Sequence, residues 1–187
     1  MALPRRCRDD EYEGITEDLG RVERANVFIV GGMTGDSLAQ IPHDSNPGDD
    51  DVEREKPQYN CLGWVLYNAP KPVDLEWWNL EDDLKKMTAL MLRCGYVQTA
   101  TSGVDATVDI IGEGNGSPVL CHVIMKYRGD YAGEMQGLEQ ANLWESKLDG
   151  LQRVTHPRQC FPHMEKRVVV SSFSRVMAAV AAAAAAE

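Results

Sequence analysis

Tyr59-Asn60-Cys61-Leu62-Gly63-Trp64-Val65-Leu66-Tyr67 is the stretch on which the reading of this chain turns. It follows a polar, proline-containing run and opens an apolar one. The apolar spacing predicts a helix, with Asn60 as N-cap and Cys61 in the first turn. Pro70 and Pro72 end that helix, because proline cannot continue the hydrogen-bond ladder. A cysteine at such a boundary has two readings. It is a small buried core residue, the usual fate of a free thiol. Or it is a nucleophile, placed where the positive end of the helix dipole favours the thiolate. The choice depends on whether a base stands elsewhere.

Outward from this stretch, Trp77-Trp78 are followed by Leu80, Leu84, Met87 and Met91, which recur at helical spacing over 80–93. Glu81, Asp82 and Asp83 sit in the first turn and Gly95 just past the end, as a helix prefers. The Met and Trp residues read as core rather than as a cofactor site. On the N-terminal side, residues 36–57 carry Pro42, Pro47, Pro57 and the run Asp49-Asp50-Asp51, and read as a linker or loop. The acidic run lacks the alternating spacing of a calcium loop. Val27-Phe28-Ile29-Val30 reads as a strand, and Gly31-Gly32 after it lacks a phosphate-loop signature. The charged residues of 5–24 read as a solvated arm or weak helix.

On the C-terminal side, 106–111 and 119–127 read as strands of a hairpin around the glycine-rich turn 112–118. Residues 128–141 form an excursion, 143–148 a third strand and 168–170 a last one. Ala178–Ala186, apart from Val180, is an alanine tract with helix propensity but no packing face. This order predicts an α+β fold with N-terminal helices packed on one face of a small antiparallel sheet. It divides into an arm and acidic linker (1–56), a central domain (57–157) and a C-terminal extension (158–187).

The chain has 187 residues and a net charge of −10. Such acidity argues against nucleic acid or an anionic membrane as partner, since both attract basic surfaces. Five cysteines, an odd number, at irregular spacing and with no signal-like start, predict reduced thiols in the cytoplasm. No C-x-x-C pair occurs, so neither a structural zinc site nor any cofactor is expected.

A cysteine nucleophile needs a base within hydrogen-bond reach. Of the histidines at 43, 122, 156 and 163, only His122 falls inside a predicted strand, where it alternates with Leu120 and Ile124. A strand holds a base rigidly. The plainer reading is a strand histidine with a satisfied hydrogen bond. A metal site of Cys61, Cys121 and His122 is disfavoured, because neighbours on a strand project to opposite faces.

Asn60-Cys61-Leu62-Gly63-Trp64-Val65 resembles the D-C-S-G-F-V segment that opens the catalytic helix of NlpC-type cysteine peptidases, in the papain-like superfamily. His122-Val123-Ile124-Met125-Lys126-Tyr127 resembles their H-V-G-I-Y strand. The chain is more closely similar to a group of domains associated with that superfamily, with pattern Y-N-C-x-x-W, a Trp pair, G-Y, a His-bearing strand, W-x-S-K-L and a late His. Here these are Tyr59-Asn60-Cys61 with Trp64, Trp77-Trp78, Gly95-Tyr96, His122, Trp144 to Leu148, and His156. The resemblance covers 57–157 and departs from the peptidase motif at Leu62, where serine is usual.

The resemblance implies a papain-like fold with Cys61 as nucleophile and His122 as general base. The Cys61 N–H would help to hold an oxyanion. Glu145 or Ser146 would complete the set, with Asp149 a more distant choice. Glu145 and Ser146 face opposite ways on a strand, and Glu145 is preferred because a carboxylate stabilises an imidazolium better. Trp64 and Ser146 would line the site. The implied activity is a thiol hydrolase (peptidase, amidase or deamidase) acting on a peptide or other amide. The alternative is an inactive domain of the same fold that acts as a protein-interaction module.

Overall fold

The computed structural model describes residues 4–9, 12, 27–30, 59–81, 83–101, 103–114, 119–129, 135, 143–148, 153–158 and 167–175. The expected linker at 36–57, most of the excursion at 128–141 and the alanine tract lie outside these residues.

Asn60 caps helix α1 (Cys61–Tyr67) by accepting a hydrogen bond from the Gly63 N–H. Helix α2 spans Leu84–Arg93. It starts later than the spacing suggests because the side chain of Asp83 accepts from the Lys85 N–H and sets the N-terminus there. Gly95 follows the end of α2 at φ +86, a conformation that favours glycine.

The strands are β1 (Arg5–Arg6), β2 (Phe28–Ile29), β3 (Tyr96–Thr99), β4 (Val108–Glu113), β5 (Val119–Lys126), β6 (Leu143–Lys147), β7 (Arg153–Pro157) and β8 (Arg167–Arg175). All join one antiparallel sheet in the order β1-β2-β7-β6-β5-β4-β8-β3. This corrects the expected layout. Instead of helices on a small sheet, among the described residues an eight-stranded sheet dominates, with the short helices α1 and α2 packed on it. Two segments enlarge it. The N-terminal residues form β1 and β2 at one edge, and β8 inserts between β4 and β3. The sequence shows only 168–170 of β8, because Ser171, Ser172 and Ser174 interrupt the apolar pattern. In the sheet Ser171 and Ser172 are buried and bonded: Gln98 Nε2 to Ser171 Oγ is 3.1 Å, and Ser172 Oγ donates to Asp109 at 2.6 Å.

Residues opposite each other in an antiparallel pair share a face, and neighbours along a strand do not. Val108↔Met125 and Ile110↔Val123 face the helices, in one core with Leu62, Val65, Leu66, Met87, Met91 and Phe173. Asp109↔Ile124 and Ile111↔His122 face away. There Ile111, Ile124, Trp144, Leu148, Val154 and Ile29 form a second core. The register of β4 against β5 shifts after Ile111, so Gly112 meets Leu120 and Cys121 is the extra residue. The bulge returns Leu120 to the helix face while His122 points away from it. The alternation that groups Leu120 with His122 in the sequence is broken at this point.

Gly63 is the tight contact of α1. A Cβ built there would press into the Glu76 backbone carbonyl oxygen. Gly63→Ala is therefore expected to lower stability by about 1–3 kcal/mol, as overpacking does, visible as a lower urea midpoint.

Candidate functional site

The candidates divide between the two faces of the sheet. Cys61 opens α1, and α1 packs on the face of Val123 and Met125. Trp64 and Glu145 lie on that side too, Glu145 being paired with Met125 in register. His122 and Ser146 belong to the opposite face. Ile111, the register partner of His122, and Val154, that of Ser146, are both members of the second core. Cys61 thus opens a helix on one face while His122 is paired into the other, and the Glu145 carboxylate accepts from Arg153. His156 and Arg167 act on the His122 imidazole through their fields.

On the helix side the buried Glu145 carboxylate accepts from Arg153 Nη1 at 2.7 Å. The Arg153 guanidinium stacks 4.1 Å from the Trp64 ring centre, and Lys147 Nζ lies 5.4 Å from that of Tyr59. The two rings are 6.0 Å apart. Trp64, expected to line a substrate site, is instead buried between Arg153, Tyr59 and Tyr67 and fixes α1 to β7. Lys147 and Arg153 carry no motif in the sequence that marks them. Their signal was parity: they oppose each other in the β6–β7 register and share the Glu145 face.

On the far side, Ser146 Oγ and His156 Nε2 are 2.7 Å apart, and His156 Nδ1 is 2.9 Å from the Pro157 carbonyl oxygen. A carbonyl can only accept, so Nδ1 carries the proton and the Ser146 hydroxyl donates to Nε2. Hydroxyl, imidazole and carbonyl stand in the order of an activated nucleophile. Both side chains are fully buried, however, so no substrate reaches them in this conformation. Burial pushes His156 down to about 4. It pushes His122 to about 3, helped by the fields of His156 and Arg167. Both imidazoles are neutral at neutral pH.

Among the described residues, no disulfide joins Cys7, Cys61, Cys94 or Cys121. Burial raises the thiol pKa of Cys94 and of Cys121, which leaves both as weak nucleophiles. Among the described residues, no group of three or more His, Cys, Asp or Glu is arranged to hold a metal ion, and no helix is long and apolar enough to cross a membrane.

A family model matches residues 51–167 of the chain. The chain belongs to the family described as Domain of unknown function, DUF7689. The match spans both helices and strands β3 to β7, and so includes every candidate residue above. No curated protein and no solved structure matches the chain.

Proposed function

We propose that this member of the DUF7689 family is a protein-interaction module rather than a hydrolase. The observation that supports it is the division of Cys61 and His122 between opposite faces of the sheet. A nucleophile and its base must lie within hydrogen-bond reach. Ser146 and His156 then serve the fold as a bonded pair, and His122 as a buried neutral imidazole. The free thiols fit a reducing compartment such as the cytoplasm, and the charge of −10 fits a protein partner rather than nucleic acid.

A second reading keeps amide hydrolysis at Cys61 without His122. One observation favours it. Tyr59 and Trp64, the rings on either side of Cys61 along the chain, each carry a cation, Lys147 and Arg153. Neighbouring cations favour a thiolate.

Alkylation with iodoacetamide at mildly acidic pH, followed by peptide mass mapping, separates the readings. The interaction module predicts no preference for Cys61 over Cys7, Cys94 and Cys121. Preferential labelling of Cys61 that persists in His122→Ala would favour the second reading. Preferential labelling abolished by His122→Ala would overturn both.

A further inference from the structure

Between Lys71 and Leu84 the chain carries five carboxylates, Asp74, Glu76, Glu81, Asp82 and Asp83, and no cation. Residues 73–80 run without helix or strand over α1. Val73, Leu75, Trp78 and Leu80 turn inward and pack against the main core. Asp74, Glu76, Trp77 and Asn79 turn outward. Trp77 is 47 % exposed, the large apolar side chain of this segment that the fold leaves in water.

The segment is held firmly. Asn60 Nδ2 donates to the Trp78 carbonyl at 2.5 Å, and Asn60 Oδ1 accepts from the Trp78 N–H at 3.4 Å as well as from Gly63. The Glu76 carbonyl sits against Gly63. One turn further along the same side of α1 stands Tyr67, 40 % exposed. Two half-exposed aromatic rings on rigid mounts, beside carboxylates, have the composition of an interface hot spot. Little side-chain or loop entropy is left to lose on binding.

We infer that Trp77 and Tyr67, with the carboxylates of Asp74 and Glu76, form a docking surface for an arginine- or lysine-rich extended segment of a partner protein. The inference rests on the interaction-module reading. Charge selects the occupant. A cation entering this surface meets Asp74 and Glu76 and the faces of two aromatic rings, where guanidinium and ammonium groups bind. The net charge of −10 steers the same partner from a distance and repels a second copy of this chain.

The probe is a fluorescein-labelled peptide alternating arginine with leucine, its control the same peptide with glutamate for arginine, both titrated with the full chain and read by anisotropy. The wild type should bind the arginine peptide and not the glutamate one. Trp77→Ala should bind roughly tenfold more weakly, the equivalent of about 1.4 kcal/mol. The pair Asp74→Asn and Glu76→Gln should bind weakly and lose most of the salt dependence. Substituting Val104, 92 % exposed but outside the surface, should change nothing. Equal binding of both peptides, or wild-type binding by Trp77→Ala, overturns the surface. Labelling at Cys61 that depends on His122 overturns the underlying reading whatever the peptide does, so the two failures are distinguishable.

Discussion

Asp109→Ala is expected to cost about 3–5 kcal/mol, the loss typical when one partner of a buried ion pair is removed. Asp109 is fully buried on β4. Its carboxylate accepts from Arg158 Nε at 2.7 Å, Arg158 Nη2 at 2.9 Å and Ser172 Oγ at 2.6 Å. The same guanidinium donates to the Gly103 carbonyl at 2.9 Å and lies 4.5 Å from the Trp144 ring centre. One carboxylate therefore joins β4, β8, the end of β7 and the turn that precedes β4. Removing it strands a cation that is 12 % exposed. A domain of this size is stable by only about 5–15 kcal/mol, so the variant should be partly unfolded or aggregation-prone. The urea midpoint should fall with the m-value unchanged. Asp109→Leu combined with Arg158→Leu should recover most of the loss, because no buried charge is then left alone. Glu113→Gln is the control. Its ion pair with Arg167, at 3.7 Å and with Glu113 47 % exposed, is worth little. A loss at Asp109 no larger than at Glu113 would show that the network does not hold the sheet.

Both Asp109 and Arg158 stand in the sequence without any sign of their partnership, and this explains much of what the sequence conceals. The α1 stretch was legible because its cap, its apolar spacing and the prolines after it are local signals. The strands 106–111, 119–127 and 143–148 were legible because apolar residues such as Ile110, Ile111, Val123, Ile124, Leu143 and Trp144 mark them, although Asp109, His122, Glu145, Ser146 and Lys147 are buried there too. β7 and most of β8 were not. Their buried positions include His156, Ser171 and Ser172, and polar residues read as loop until the bonds that satisfy them are seen. The size of the sheet was hidden with them.

The candidate site poses a different difficulty. Residue types and their order were readable, but which face a strand residue occupies depends on register. A single extra residue changes it. The bulge at Cys121 decides that Leu120 and His122 part company, and nothing in Val119 to Lys126 announces a bulge. The choice between Glu145 and Ser146 was likewise a question of parity. Ser146 shares the face of His122, and Glu145 faces Arg153 and α1.

Acid should unfold this protein earlier than carboxylate titration alone would, and the second core is the cause. His122 and His156 have folded-state values of about 3 and about 4, against 6.5 when unperturbed. The folded state thus refuses protons that the unfolded chain accepts. Above pH 6.5 both states are neutral at these positions and stability is at its full value. As pH falls below 6.5, the unfolded chain binds a proton at each histidine while the folded state does not, so stability declines. The loss from His156 continues to about pH 4 and that from His122 to about pH 3, where the folded state titrates as well. Within the window each histidine contributes a slope of about 1.4 kcal/mol per pH unit. His122→Leu removes one titrating group and should reduce the slope between pH 6 and 4 by about half of the combined effect, although it lowers stability at neutral pH. Urea midpoints across this range, for wild type and variant, measure the two slopes. Equal slopes would mean that His122 titrates alike in the folded and unfolded chains, and that the second core admits the charge that its packing is here held to exclude.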